Sequence, residues 1–330
     1  MTTPLTTPLS TPFFSAQPFF EPTSEDLRFL PEGPRVLRNF NQSHMLGWVA
    51  IQHAADRPVG SFNLLDLASR ENRSIPLPGR PGFFAETTHP GVVLVGLERR
   101  LVLLDLTTGA LTETGIVATT DERVIINDGL AVEGGVLFGT KHLEFALPIA
   151  GLYFFDTATR ELIQVLDGQT CSNGKALLRD PDGVTLVDID SQPKSLCKFR
   201  LDPTLHEVRS RLTLVAPEGL PGFPDGLRLS PDGQSVIVAF YNPDPVPDGR
   251  AQQICLHTGA VLAEWIIPGS PRVTCPEFVE LDGQVKVLFT TALEGMPDAI
   301  RAIAPGAGTL YIADTPFTSM PAPIPLINLS

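Results

Sequence analysis

Asn127-Asp128-Gly129-Leu130-Ala131-Val132-Glu133-Gly134-Gly135 runs directly into VLFGTKH (residues 136–142), and LYFFDT (152–157) follows after a short gap. The stretch reads as a polar turn opening a hydrophobic run, a Gly-Gly hairpin, a second run, and a third that ends at Asp-Thr. Short runs rich in Val, Leu and Phe, bounded by Gly, Asn and Asp, are strands joined by tight turns. The same three-part phrase stands on both sides of it. EGPRVLRNFN (32–41), GWVAIQH (47–53) and FNLLDL (62–67) form one copy, and PGFFAETTHPG (81–91), VVLVGL (92–97) and LVLLDL (101–106) the next. Downstream lie SNGKALLRDPDG (172–183), VTLVDID (184–190) and CKFRLD (197–202), then PDGLRLSPDG (224–233), SVIVAFYN (235–242) and QICLHT (253–258). TCPEFVELDG (274–283), VKVLFTTAL (285–293) and LYIADT (310–315) complete the set. Copies lie roughly 40–55 residues apart, the period of propeller blades.

The repeats predict an all-β chain, a six-bladed β-propeller of four-stranded antiparallel blades. The first strand of each copy lines a central channel, and hairpins such as Asp182-Gly183 and Asp232-Gly233 return the chain as the second strand. Turns such as Thr107-Thr108-Gly109 lead to outer strands at residues 73–77, 111–116, 161–166, 208–215 and 261–267. The sixth outer strand is missing after Asp314, and residues 26–30 are expected to supply it from the N-terminal side, joining the chain ends and removing an exposed edge. The expected division is a flexible Pro/Thr-rich arm over 1–24, the propeller over 25–318 and a Pro-rich tail over 319–330. Phe13, Phe14, Phe19 and Phe20 of the arm are placed to pack on the body or on a partner subunit.

The chain of 330 residues carries a net charge of −13 with no basic cluster, which argues against nucleic acid and against an anionic membrane surface. No apolar stretch is long enough to span a bilayer, and the N-terminus lacks the basic start of a signal peptide, so a cytoplasmic protein is expected. Cys171, Cys197, Cys255 and Cys275 form no CxxC pair and read as buried free thiols. No GxSxG elbow is present, and the histidines show no metal-ligand spacing.

Topology places the start of every inner strand on one face, together with the loops that join second to third strands. Glu32-Gly33-Pro34, Asn127-Asp128-Gly129, Ser172-Asn173-Gly174 and Pro224-Asp225-Gly226 all open inner strands there. Carboxylate and amide oxygens converging on an axis suit one hard divalent cation. Glycine after each of them lets the backbone crowd the axis. The other reading is a polar channel filled by water and hydrogen bonds. His142, Lys141, Glu144 and Tyr241 fall on the same face as candidates to touch substrate.

These motifs, with Gly139-Thr140, Asp190-Ser191, residues 239–242 (AFYN) and residues 271–274 (PRVT), resemble the regucalcin / gluconolactonase / luciferin-regenerating enzyme (senescence marker protein-like) family over about residues 32–296. The resemblance implies a six-bladed propeller with one divalent cation and hydrolysis of sugar lactones. It implies Glu32, Asn173 and Asp225 as metal ligands, Asn127 as a holder of substrate or water, and Asp225 as general base. Ca²⁺ is the cation expected from oxygen ligands, with Zn²⁺, Mn²⁺ or Mg²⁺ as alternatives. The expected activity is metal-assisted opening of a lactone or related cyclic ester to its hydroxy acid, by a monomer or weak homodimer. Sugar-lactonase members often carry Arg two residues before the Asn-Asp-Gly asparagine, where this chain has Ile125, so a less polar lactone or ester also fits. The competing readings are a non-catalytic cation-binding propeller that serves as an interaction module, and a metal-dependent esterase or phosphotriesterase.

Overall fold

A computed structural model describes residues 11–40, 44–181 and 183–329. The hairpin residue Asp182, Asn41 at the end of the first phrase and residues 1–10 of the arm lie outside them. The described strands form six sheets whose blade strands run antiparallel and in chain order outward from the axis, with a strand of the N-terminal arm added at the outer edge of two of them. The inner strands are Pro31–Val36, Pro81–Glu86, Val124–Val132, Ser172–Asp180, Phe223–Leu229 and Val273–Leu281. Five outer strands fall where the sequence places them, at Asn72–Leu77, Leu111–Val117, Leu162–Gln169, Val208–Val215 and Val261–Ile267. The protein is a six-bladed β-propeller.

The sixth outer strand is not formed by residues 26–30. Glu25–Phe29 is a short helix, with Ser24 Oγ accepting from the Leu27 amide at 3.4 Å and acidic residues in the first turn, the preferred chemistry of a helix start. Gln17–Phe20, further upstream in the expected flexible arm, pairs antiparallel with Leu310–Asp314 and completes blade six. Immediately before it, Phe13–Ser15 runs parallel to Val261–Ile267 as a fifth strand of blade five. The arm therefore covers two sheet edges. Phe14 stacks on Trp265 with ring centroids 5.4 Å apart, and Phe19 is buried between blades six and one.

Each blade is apolar on both faces because it is packed between two others. One buried cluster fills each inter-blade gap: Phe62 and Phe84 between blades one and two, Phe83 and Phe138 between two and three, and Leu152 and Leu186 between three and four. Val187 and Val238 lie between blades four and five, Trp265 and Phe289 between five and six, and Trp48 and Leu288 between six and one. This is why the second strands read as unbroken hydrophobic runs instead of alternating ones.

The Asp that ends so many third strands has a local task. Asp105 Oδ1 accepts from the amides of Thr107 and Thr108, both at 2.8 Å, and Asp66 and Asp156 hold equivalent turns. These are Asx turns, which bend the chain back toward the outer strand.

The Pro-rich tail crosses the channel mouth on the hairpin face. Residues 320–325 lie over the ends of the inner strands of several blades, and Ile327, only 2 % exposed, forms a parallel bridge with Thr87. The Ile327 amide donates to Glu86 O and its carbonyl accepts from Thr88, each at 2.9 Å. All four cysteines are free, three of them buried. No helix among the described residues is long and apolar enough to cross a membrane.

Candidate active site

Every inner strand slips register near its start. The irregularities fall between Glu32 and Arg35, Pro81 and Phe83, Ile126 and Gly129, Ser172 and Lys175, Pro224 and Leu227, and Val273 and Pro276. A bulge bends a strand and re-aims a side chain that would otherwise face a neighbouring blade. In four blades the re-aimed residue is Glu32, Asn127, Asn173 or Asp225. All four line one cavity of about 220 Å³ on the face opposite the tail, together with Lys141 and Tyr241. The close convergence requires glycine at Gly174, where a Cβ would stand 2.4 Å from the Leu227 nitrogen and 2.7 Å from the Asp225 carbonyl oxygen.

Hydrogen bonds hold these side chains in place. Asn173 Nδ2 donates to Asp225 Oδ1 and to Ser191 Oγ (3.2 Å), and Ser191 Oγ donates to Pro224 O at 2.7 Å. Asn127 Nδ2 donates to Ser172 O at 3.0 Å. The turn bearing Asn173 is fixed from behind by Asp190, whose carboxylate accepts from the Cys171 amide at 2.8 Å and the Thr170 amide at 3.2 Å. Tyr241 donates its phenol to Glu294 O at 3.0 Å, and the Arg272 guanidinium sits over its ring. Burial pushes that phenol well above its ordinary pKa, so Tyr241 is a neutral wall of the cavity.

Not every candidate reaches the cavity. His142 follows Lys141 on the strand Gly135–His142, and successive side chains of a strand point to opposite faces. Lys141 faces the cavity, its Nζ 5.5 Å from the Phe145 ring centroid. His142 faces away, and its Nδ1 accepts from the Ala146 amide at 3.2 Å, bracing its own loop. Glu144 is exposed on that loop and does not line the cavity. Conversely, Ser191, Cys171, Phe145 and Glu294 line it without having been singled out as binding residues. Ser191 had a signal in the Asp190-Ser191 motif, whereas Phe145 and Glu294 lie on irregular loops with none.

The electrostatics of the cavity centre on its two carboxylates. Burial raises the pKa of Asp225 well above the usual range, and the neighbouring charge of Glu32 raises it further. Glu32 is raised by burial and by Asp128. Lys141 pulls both down, yet neither carboxylate has an ion-pair partner within bonding distance among the described residues. Two buried carboxylates flanked by two carboxamides, lacking a bonded cation, form a donor set of hard oxygens that suits a divalent cation. No cluster of three or more His, Cys, Asp or Glu is present among the described residues, so such an ion would depend on the Asn173 amide as well.

The six-bladed propeller fold is shared with proteins of known structure. The chain is 28 % identical over 256 residues to the L-arabinolactonase of Azospirillum brasilense, covering 74 % of this chain and 78 % of that protein. Its fold matches the crystal structure of a calcium-binding protein, regucalcin, from Agrobacterium tumefaciens, with a TM-score of 0.77 at 20 % identity over 96 % of this chain and 98 % of that one. It also matches a luciferin-regenerating enzyme, with a TM-score of 0.75 at 18 % identity over 90 % and 95 % of the two chains. The profile of the SMP-30/Gluconolactonase/LRE-like region matches residues 30–292, and the protein belongs to that family.

Proposed function

We propose that the protein is a divalent-cation-dependent lactonase that opens a lactone, a sugar lactone or a less polar cyclic ester, to its hydroxy acid. The observation that carries this reading is the convergence of Glu32, Asn127, Asn173 and Asp225 on one cavity, in a family that includes sugar lactonases. Glu32, Asn173 and Asp225 would hold the cation, with Ca²⁺ the ion their oxygens favour. Such a cation, when bound, polarises an ester carbonyl and stabilises negative charge on its oxygen.

The chain itself supplies the remaining parts. Asp225 accepts the proton of the attacking water, as a general base must lie where the water is held. Asn127, fixed by its bond to Ser172 O, presents an amide to substrate beside it. Leu30, Ile51, Phe145, Phe223 and Pro243 give the cavity an apolar wall that limits water around the ester. A lactone is strained and activated, so a modest base suffices.

The test is turnover of a panel of pentono-, hexono- and alkyl-substituted lactones, with a simple ester and an organophosphate alongside. Each is assayed after chelation and after return of Ca²⁺, Mn²⁺ or Zn²⁺. Chelator-sensitive lactone opening, faster than ester or organophosphate hydrolysis, is the expected result. Cation binding without turnover of any substrate would replace the enzyme by a binding module.

A further inference from the structure

Below the acidic cavity the channel changes sign. Arg35 and Arg228 lie three residues beyond Glu32 and Asp225 on the same two inner strands, about 10 Å further along the axis. Both guanidinium groups converge on one carboxylate, Glu277, which is 2 % exposed. Arg228 donates to its Oε1 from Nε at 3.2 Å and keeps Nη2 in ion-pair contact with the same oxygen at 3.1 Å, while Arg35 Nη1 reaches Oε2 only at 3.5 Å. Glu277 Oε1 also accepts from the Phe278 amide at 2.9 Å.

Two cations therefore share one anion in the interior. Arg35 Nε, Arg35 Nη2 and Arg228 Nη1 have no hydrogen-bond partner among the described residues. Both arginines line a second cavity of about 180 Å³, roofed by the tail residues Met320 to Pro325. The other carboxylate in its wall, Glu86, is committed to the backbone amides of Arg38 and Asn39 at 2.8–3.1 Å. Arg38 ties the tail down by donating from Nη2 to Ile324 O. Arg228 also borders a space of about 470 Å³ on the far side of the same tail segment, so it is reached from two directions.

We propose that this lower cavity is an anion site, in which the free fork nitrogens of Arg35 and Arg228 hold one small oxyanion, a carboxylate or a phosphate. Guanidinium forks match such oxyanions in shape and in charge, and their bonds are strongest where water is excluded. The site is distinct from the four-oxygen cavity and does not depend on what that cavity does.

The test is thermal denaturation of the full-length protein in sodium phosphate or sodium acetate, each against sodium chloride at matched ionic strength. A rise in Tm above the chloride control is expected for the wild type with at least one of the two anions, and which one responds identifies the source. Arg35→Gln and Arg228→Gln are expected to weaken that dependence by about tenfold or more. Glu277→Gln acts in the opposite direction, because it frees both arginines, and is expected to lower the half-saturating anion concentration by about tenfold. No excess shift in the wild type, or an unchanged shift in the arginine variants, overturns the proposal. Should those variants not fold, a wild-type crystal soaked in sodium selenate decides. An anomalous peak between Arg35 and Arg228 supports the site, and peaks only elsewhere refute it.

Discussion

Asp225 accepts from Asn173 and lies beside Glu32, yet no lysine or arginine pairs with it among the described residues. Replacing either member of the Asn173–Asp225 pair should leave the fold intact, since both side chains point into a cavity. Asp225→Ala and Asn173→Ala are expected to lower lactone turnover by about 100-fold or more and to weaken cation binding, with the β-sheet circular dichroism unchanged. The pair of carboxylates also sets a pH dependence. Glu32 holds its proton up to about 8 in the cation-free protein, against about 4.3 for a free glutamate. A carboxylate whose folded pKa is raised contributes full stability below the unfolded value and loses it as pH rises through the folded one. The cation-free protein should thus weaken between pH of about 4 and 8, while cation affinity climbs over the same window and binding releases protons. Titration calorimetry in buffers of different ionisation enthalpy measures that release, and its absence would remove Glu32 from the ligand set. His142→Gln, by contrast, should leave kcat/KM within about threefold, because the ring faces away from the cavity.

At the level of elements, the Asx turns and the arm carry the predictions. Asp105 is held below the usual carboxylate range by the amides of Thr108 and Thr107, and Asp202 is lowered to about 2 by its turn hydrogen bonds despite some burial. Here the folded pKa is depressed, so the stabilisation is present above the unfolded value of about 3.9 and is lost as pH falls toward the folded one. Asp105→Asn should lower Tm at neutral pH, and the difference from the wild type should shrink in acid melts as the pH falls below the unfolded value. The strand pattern was legible because each blade is sandwiched, which turns its second strand into a hydrophobic run with a glycine hairpin before it. The candidate cavity was legible in part because the bulged openings of three inner strands read Glu32-Gly33, Asn173-Gly174 and Asp225-Gly226. What stayed hidden depends on one-residue register. Whether Lys141 or His142 faces the axis is a matter of strand alternation, and a slip of one residue exchanges their faces. Gln17–Phe20 was hidden by Pro18, which lacks an amide donor, and an outer edge strand is where a proline is tolerated. The tail showed only its proline content, not the burial of Ile327.

Across the whole molecule, the proposed cation would act together with ring closure. Glu32, Asn173 and Asp225 come from blades one, four and five, so an ion held by them ties together strands far apart in the chain. A cation that binds only the folded ring at 100 times its Kd adds about 2.7 kcal/mol to stability. Chelation should lower Tm correspondingly, and a scan with and without added Ca²⁺ reads it directly. Ring closure itself rests on the arm. Removing residues 1–20 exposes the edges of Leu310–Asp314 and Val261–Ile267 and takes Phe19 out of the gap between blades six and one. Loss of a buried Phe costs about 3–5 kcal/mol, so the truncated protein is expected to melt at lower temperature and to self-associate through its open edges, as light scattering would show.

That clasp also imposes an order on biosynthesis. Gln17–Phe20 is translated before all six blades and its partner Leu310–Asp314 belongs to the last of them, so this edge strand is made long before the strand it pairs with. The wheel can lock only once the sixth spoke has been made, and until then Phe19 lacks the gap between blades six and one that buries it.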